Sequence, residues 1–407
     1  MSPATASTAT SAATSPGAKT PAAAVSAAPL PDHLARVFAH YPLEVVSAEG
    51  VWLRGSKGER VLDLYGGHAV AGLGYGHPGW TRALAEQARL CQFQTNAVTL
   101  DVRRRAAARL VRFAGLGLDA VFLVSTGAEA NENALKMAFN VTHRPHVAAI
   151  EGGFHGRTAA AGAVTWGAAQ KWYGFPRAPF DVSFIPRRDV AAIEQHVTDR
   201  TAAVIVEPVQ GLAGAFDLGA PFLEALRRRC DATGTLLIFD EVQCGMGRTG
   251  HPFAANLYGV TPDMITSAKV LGNGFPCAAL LMSPQVAAAL TLDALGTTFG
   301  GGPLACAAIE AVIEAIESEH LLERVRRVSA YLRETCLVGP VTGHQGAGFL
   351  TGLRTTRPAK EVQAALLARG ILMGTSGDPH VLRLLAPYIL EEQHVDLLRD
   401  ALRELPP

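Results

Sequence analysis

The chain has 407 residues, enough for a large domain and a smaller one. Its 36 Asp and Glu residues balance 36 Lys and Arg residues, so charge gives no reason to expect binding to nucleic acid or to an anionic membrane. Hydrophobic residues make up 49% of the chain, but no run reaches the roughly 18 apolar residues that a membrane-spanning helix needs.

Residues 1–30 are nearly all Ala, Ser, Thr and Pro. A segment of this composition cannot bury a core, so we predict a disordered tail. The tail lacks the Arg-rich composition of a transit peptide, and it lacks the basic start and Leu-type apolar run of a signal peptide.

The pattern behind the tail predicts secondary structure in two blocks. In residues 31–75 the pattern predicts an N-terminal helix and short strands around 51–53 and 61–64. We assign this segment to the first part of a small domain. Helical periodicity follows in residues 79–91 and 101–113.

From residue 120 to about 300, short apolar runs alternate with helical patterns. The predicted strands include residues 120–124, 147–150, 203–206, 236–239 and 278–282. Such alternation is typical of a mostly parallel sheet with helices on both faces. We therefore predict an α/β fold with a large domain over residues 76–315. A helix from Leu304 to about Ile316 then leads to residues 316–407, the C-terminal part of a small α+β domain.

The six cysteines give a simple prediction. They form no C-x-x-C pair and show no metal-ligand spacing. We expect reduced thiols, a cytoplasmic location and no metal site.

A turn between the first of these strands and a helix is a candidate anion site. Residues 125–132 read Ser-Thr-Gly-Ala-Glu-Ala-Asn-Glu and precede a helical pattern. Backbone N–H groups would be exposed at the start of that helix, where a phosphate binds well. Many ordinary helix caps have the same composition, so the turn alone decides little.

Two polar residues at strand ends indicate the chemistry. Asp240 follows the run 236–239, and Lys269 follows the run 264–268. The carboxyl ends of parallel strands are where open α/β sheets keep their ligands. A lysine that forms a Schiff base and a carboxylate that keeps a pyridine nitrogen protonated suit pyridoxal 5'-phosphate (PLP). Taken alone, an Asp cap and a surface Lys would be the commoner interpretation of this pair.

Further motifs make the interpretation specific. The chain carries, in order, residues 125–132, Phe-His-Gly-Arg-Thr at 154–158, Glu-Pro-Val-Gln-Gly at 207–211, Asp-Glu-Val-Gln at 240–243, Ser-Ala-Lys at 267–269, Thr-Thr-Phe-Gly-Gly at 297–301 and Leu-Arg-Leu at 382–384. This set resembles the class III (ω-amino acid) aminotransferases, PLP-dependent transferases of fold type I. The run 240–250 is most similar to that of acetylornithine aminotransferases.

The resemblance implies a role for each matching residue. Lys269 and Asp240 would be catalytic and would hold the cofactor, Gly127 and Ala128 would bind its phosphate, and Phe154 and Val242 would cover its two ring faces. Gln243 would reach the phenolic oxygen. Thr298 would contact the phosphate of a neighbouring subunit's cofactor, which implies a homodimer with shared sites. Arg157 and Arg383 would hold substrate carboxylates, and His68 falls at a position that faces substrate in relatives.

The chain departs from the family pattern at several positions. Leu212 stands where a Glu usually pairs with the arginine that corresponds to Arg383, which puts the usual substrate switching in question. Val270, Gly302 and Gln345 replace the common Gly, Asn and Arg. His68 is as compatible with a packed loop histidine as with a substrate contact.

The predicted function is transfer of an amino group from an N-acylated ω-amino acid, best matched by N-acetylornithine, to 2-oxoglutarate. The products would be a semialdehyde and glutamate. The alternatives are a 4-aminobutyrate or other ω-amine transaminase, a PLP aminomutase of the glutamate-1-semialdehyde type, and a PLP-binding protein without catalysis.

Overall fold

The computed structural model describes residues 33–35 and 37–407. The predicted disordered tail, residues 1–30, lies outside the described residues. Residues 44–407 form one compact unit. Residues 33–35 and 37–43 contain no part of the predicted N-terminal helix. Their side chains Leu34, Val37 and Phe38 are 71 to 78% exposed, so this segment has no buried apolar face of the kind that stabilises most helices in proteins.

The described residues fold into seventeen strands, fourteen short or long helices and one 3-10 helix over Lys269–Gly272. The strands are β1 (Val45–Glu49), β2 (Trp52–Gly55), β3 (Arg60–Asp63), β4 (Ala120–Val124), β5 (His146–Ile150), β6 (Asp181–Ile185), β7 (Thr201–Val206), β8 (Val209–Gln210), β9 (Phe216–Asp217), β10 (Leu236–Asp240), β11 (Met264–Ser267), β12 (Ala278–Met282), β13 (Val341–Ala347), β14 (Leu350–Thr355), β15 (Ile371–Leu372), β16 (Gly374–Thr375) and β17 (Val381–Leu384). The helices are α1 (Gly66–Ala69), α2 (Pro78–Leu90), α3 (Asp101–Ala114), α4 (Gly127–Thr142), α5 (Ala159–Ala163), α6 (Ala168–Lys171), α7 (Ile193–His196), α8 (Ala220–Thr233), α9 (Ala254–Tyr258), α10 (Pro284–Ala287), α11 (Pro303–Ser318), α12 (Leu321–Thr335), α13 (Ala359–Leu367) and α14 (Glu392–Arg403).

A seven-stranded sheet forms the centre of the compact unit. Its strand order is β4-β12-β11-β10-β7-β5-β6. Strands β10 and β11, β10 and β7, β7 and β5, and β5 and β6 pair in parallel, whereas β12 runs antiparallel to both of its neighbours. The predicted mostly parallel sheet is therefore confirmed, and the predicted strands at 120–124, 147–150, 203–206, 236–239 and 278–282 all appear in it.

The central strands are largely apolar because both sheet faces are covered. Every residue of β7, β10, β11 and β12 is buried. Such strands cannot alternate polar and apolar residues, so the first polar side chains of consequence come where the strands end. In the β10–β11 pair, Asp240 lies opposite Thr266, which places Lys269 only three residues beyond the same sheet edge.

Two smaller sheets supply the rest of the site. One has the order β1-β2-β3-β15, and the other has the order β13-β14-β17-β16 and carries Arg383 in β17. Immediately after β3, the turn α1 is left-handed, with positive φ at all four residues, including His68 at 68° and Ala69 at 65°.

No helix in the described part of the chain is long and apolar enough to cross a membrane. All six cysteines are free thiols, and five of them are buried. The domain boundaries after residues 75 and 315 stay predictions.

Candidate active site

Lys269 lies at the edge of the central sheet, where β11 gives way to the 3-10 helix. Its backbone is left-handed, with φ of 52°, a conformation that costs a non-glycine residue free energy and is often found at functional sites. Burial lowers the pKa of its amine, the nearby carboxylates of Asp240 and Glu207 oppose this effect, and Arg383 adds to it. A lysine in this environment holds its proton less tightly than a solvated one.

The carboxylate of Asp240, at the end of β10, is only 3% exposed and is held by three donors. Its Oδ2 accepts hydrogen bonds from Nδ2 of Asn131 and Nδ1 of His155, each at 2.8 Å, and its Oδ1 accepts one from the N–H of Val242 at 3.1 Å. A buried carboxylate that accepts several hydrogen bonds is stabilised in its charged form. Asp240 therefore presents its carboxyl group in a fixed orientation near Lys269.

Asn131, on α4, joins four segments of the chain. Its Nδ2 also donates to the carbonyl of His155 at 2.7 Å, and its Oδ1 accepts from the hydroxyl of Thr266 at 2.7 Å. All of its hydrogen-bonding groups are thus satisfied inside the protein, as a buried amide requires. The amide fixes the end of β10 against β11, α4 and the segment around His155.

Sequence reasoning assigned no role to Asn131, His155 or Thr266. Two of them lie inside motifs that were singled out, and Asn131 had a visible signal. It falls on the apolar face of α4, four residues after Gly127 and three before the buried Ala134. A polar side chain on a buried helix face needs partners, and in the structure one of these partners is Asp240.

Glu207 holds together two loops that border the site. Located just after β7, it accepts the N–H of Phe154 at 2.8 Å and the N–H of Gly211 at 3.1 Å. Burial and the nearby Asp240 raise its pKa to about 7. It was not predicted as a site residue, although it opens one of the recognised motifs.

The N-terminus of α4 lies against the turn that follows Asp240. Thr126 caps the helix, and its hydroxyl accepts the N–H of Glu129 at 3.1 Å. A Cβ atom on Gly127 would lie 2.8 Å from both methyl groups of Val242, so only glycine permits this approach. Gln243 follows, and its buried Oε1 has no hydrogen-bond partner within residues 33–35 and 37–407.

Arg383 reaches the same region from β17. It is 2% exposed, and it donates from Nε to the carbonyl of Thr375 at 2.8 Å and from Nη1 to the carbonyl of Gly211 at 3.3 Å. Its Nη2 lies 3.5 Å from the hydroxyl of Tyr65, which also hydrogen-bonds Nδ1 of His68. Partial burial and the charges of Arg383 and Lys269 lower the pKa of His68 to about 4.

The remaining predicted residues have aromatic neighbours. Arg157 is exposed, and its guanidinium carbon lies 4.7 Å from the ring centroid of Trp172. The ring of Phe154 lies 6.3 Å from that of Trp172. Thr298 is exposed next to Phe299, whose ring is 5.5 Å from that of Phe93. The structure thus brings Lys269, Asp240, His68 and Arg383 together, and it puts Thr298 on an outer surface.

Comparison with known proteins identifies the family. A family model described as "Aminotransferase class-III" matches residues 34–405. The chain belongs to the class-III aminotransferases.

Proteins similar to this aminotransferase are named as acetylornithine or ornithine aminotransferases. Acetylornithine aminotransferase 1 of Bradyrhizobium diazoefficiens is 38% identical over 388 residues, covering 91% of this chain and 93% of that protein. Acetylornithine aminotransferase of Streptomyces coelicolor is 40% identical, covering 88% of this chain and 90% of that protein. A solved ornithine aminotransferase of Toxoplasma gondii, described with partial occupancy of PLP at its active site, has a TM-score of 0.84 and 27% identity, with 91% of each chain covered. The predicted family, enzyme class and fold type I architecture are confirmed.

Glu207 provides a prediction about stability and pH. Its pKa is raised from 4.5 to about 7 in the folded protein. A group whose pKa is raised by folding stabilises the fold at low pH, and this contribution is lost as the pH rises from about 4.5 to about 7. We expect the free energy of unfolding of the wild-type protein to fall across this window relative to Glu207→Gln.

Chemical denaturation of both proteins at pH values from 4.5 to 8 would measure this difference. The exposed Glu323 provides the control, since Glu323→Gln should follow the wild-type protein. Parallel curves for Glu207→Gln and the wild-type protein would contradict the prediction.

Proposed function

We propose that this aminotransferase binds PLP through Lys269 and transfers an amino group from N-acetylornithine, or a related N-acylated ω-amino acid, to 2-oxoglutarate. The products are a semialdehyde and glutamate. The observation that carries the proposal is the half-buried amine of Lys269 with its lowered pKa, beside the carboxylate of Asp240 held by Asn131 and His155.

The residues around Lys269 fit the cofactor. The buried Oε1 of Gln243 has no partner among the described residues, and a buried acceptor costs free energy unless a donor hydrogen-bonds to it. A ligand hydroxyl at this place would meet that need, and the phenolic O–H of the cofactor would be such a donor to Oε1 of Gln243. Gly127 and Ala128 would bind the phosphate at the N-terminus of α4, while Phe154 and Val242 would cover the ring.

Different residues of the protein would have different roles in the reaction. Bound PLP supplies an electron sink for the charge that develops at the substrate carbon. Asp240, held by three donors, would keep the ring nitrogen protonated. The lowered pKa of Lys269 increases the share of neutral amine at neutral pH, so that Nζ can accept the proton from the substrate carbon and return it.

The substrate assignment depends on carboxylate recognition and on the relatives. Arg157 and Arg383 each offer a planar fork suited to a carboxylate, and His68 lies beside Arg383. N-acetylornithine and 2-oxoglutarate both carry a carboxylate for such a site. The relatives named acetylornithine aminotransferase support this choice of donor over other ω-amines.

We also propose a homodimer in which Thr298 contacts the cofactor phosphate of the neighbouring subunit. The surface around Thr298 supports this arrangement, because the rings of Phe93 and Phe299 lie 5.5 Å apart there and are 43% and 69% exposed. Exposed neighbouring aromatic side chains are typical of protein interfaces.

A cytoplasmic location and a division into two domains complete the proposal. The six free thiols support a reducing compartment. The large domain would comprise residues 76–315, and residues 31–75 and 316–407 would form the small domain.

The first prediction from the proposed function concerns the covalent attachment of PLP. We expect borohydride to fix PLP to Lys269 in the wild-type protein, because this amine lies at the carboxyl edge of the sheet beside Asp240. Peptide mass spectrometry should find the adduct at Lys269, and Lys269→Ala should lose both the adduct and the visible absorption band of the bound cofactor. Turnover should fall at least about a hundredfold.

Lys360→Ala provides the matched control, because Lys360 is an exposed lysine on α13. It should retain the adduct, the absorption band and turnover. A reducible PLP–lysine adduct that persists in Lys269→Ala would show that the assignment of Lys269 is wrong.

The second prediction concerns the substrates and Leu212. With 2-oxoglutarate as acceptor, N-acetylornithine should give the highest kcat/KM for glutamate formation in a panel of ω-amino donors. Leu212 adjoins Gly211, whose carbonyl accepts a hydrogen bond from Arg383. A carboxylate introduced by Leu212→Glu should compete for Arg383 and lower kcat/KM for glutamate about tenfold relative to N-acetylornithine.

Leu212→Gln adds a polar side chain of similar size without charge, and it should leave the ratio of the two kcat/KM values close to that of the wild-type protein. An unchanged ratio in Leu212→Glu would mean that residue 212 does not influence Arg383. A half-reaction with glutamate that releases no free 2-oxoglutarate would favour the aminomutase alternative.

The third prediction tests the shared site. Lys269→Ala subunits and Thr298→Ala subunits should each form dimers of low activity, whereas a hybrid dimer contains one intact site. After random subunit exchange of equal amounts, about a quarter of all sites should be restored. Kinetics at saturating PLP would measure the recovery. No recovery, with exchange verified by mass-tagged subunits, would exclude a site that uses Thr298 from the neighbouring subunit.

A further inference from the structure

The left-handed turn α1 holds Tyr65 and His68 next to the strand that carries Arg383. The N–H groups of Tyr65 and Gly66 both donate to Oδ1 of Asp63, at 2.8 and 2.9 Å. A Cβ on Gly66 would lie 2.5 Å from the carbonyl oxygen of Leu385, just after β17. The turn is therefore anchored at its start by a buried carboxylate and packed against the main chain beyond Arg383.

The ring of Tyr65 packs directly against the backbone of Gly374, where any residue larger than glycine would collide with it. A Cβ on Gly374 would lie 2.1 Å from Cε2 of Tyr65, and Gly374 is paired with Arg383 in the β16–β17 register. The guanidinium carbon of Arg383 lies 5.9 Å from the centroid of the same ring. The place of the Tyr65 hydroxyl beside Arg383 is thus fixed by the backbone of two strands.

A chain of hydrogen bonds runs from Arg383 through Tyr65 to His68. A guanidinium can only donate, so the Tyr65 oxygen accepts from Nη2 of Arg383. The same hydroxyl hydrogen-bonds Nδ1 of His68 and so links the guanidinium to the imidazole. The pKa of His68, lowered to about 4, is consistent with a neutral imidazole at physiological pH.

The backbone of His68 adds a separate observation. Its φ of 68° is in the left-handed region, which glycine adopts without cost and which strains most other residues by about 1–2 kcal/mol. Such strain persists where the surrounding structure enforces it, and it is frequent at functional sites. Two glycines precede His68 in the same turn, yet the third position carries an imidazole that bonds Tyr65.

We propose that Tyr65 and His68 are positioning residues that orient Arg383 for a substrate carboxylate without neutralising it. This inference rests on the proposed function, in which Arg383 binds carboxylate. An acidic side chain in the place of Tyr65 would compete with the substrate for the guanidinium, whereas a hydroxyl held by a neutral imidazole fixes the guanidinium and leaves its charge intact. Arg383 is then ready for the carboxylate of the amino acid and of the keto acid in both halves of the reaction.

The experiment measures binding separately from turnover. Glutarate is a dicarboxylate with neither an amino nor a keto group, so it can occupy a carboxylate site without reacting. Its Kd is measured by titration calorimetry on PLP-loaded wild-type protein, Tyr65→Phe, His68→Gly and the double variant. Tyr65→Phe keeps the ring over Gly374 and removes only the hydroxyl. His68→Gly removes the imidazole and relieves the backbone strain.

We expect each single variant to raise the Kd for glutarate about fivefold, as the loss of one hydrogen bond would. The double variant should bind about as weakly as either single variant, because both act through one chain of hydrogen bonds. The Tm of His68→Gly should not fall below that of the wild-type protein, so weaker binding could not be attributed to a damaged fold. Tyr331→Phe, which removes a hydroxyl bonded to Asp396 on another surface, should bind glutarate normally.

Three outcomes would contradict the inference, and they differ in what else they exclude. Unchanged glutarate binding in Tyr65→Phe and His68→Gly would remove the positioning role but leave the aminotransferase function intact. A wild-type protein that converts N-acetylornithine but binds glutarate no better than Arg383→Gln would remove the carboxylate role of Arg383 itself. An additive effect in the double variant would also count against a single chain of hydrogen bonds.

Discussion

The buried carboxylate of Asp240 is the feature on which the site depends. A charge that is 3% exposed is stable only if several donors replace the water that it has lost. Those donors come from α4, from the segment around His155 and from the backbone turn at Val242. The requirement to hold one charge therefore draws α4 and the segment around His155, which lie 109 and 85 positions away in the chain, to one edge of the sheet.

Side chains of both charge signs lie around the amine of Lys269. Lys269 and Arg383 lie near Asp240 and Glu207, and each of these groups influences the pKa of the Lys269 amine. Burial weakens the hold of Lys269 on its proton, while the carboxylates limit that effect. An amine in this balance can accept and return a proton, which a fully solvated lysine does poorly near neutral pH.

Buried carboxylates also shape the loops that surround the reactive groups. Glu207 accepts N–H groups from Phe154 and Gly211, and Asp63 accepts them from Tyr65 and Gly66. Each therefore fixes a loop by satisfying backbone donors that secondary structure leaves unpaired. Gly211 in turn offers its carbonyl to Arg383, so the loop held by Glu207 reaches the proposed carboxylate site.

The sequence was sufficient to predict the sheet, its strand ends and the family. Buried parallel strands are mostly apolar, so the runs before Asp240 and Lys269 were visible, and these two polar residues marked the edge of the sheet. It did not determine what holds these residues. Asn131 lies 109 positions before Asp240, and Tyr65 lies 318 positions before Arg383, and no local pattern specifies contacts at such separations. Only the packing of the folded chain paired them, because the partners of a buried charge are chosen by three-dimensional proximity.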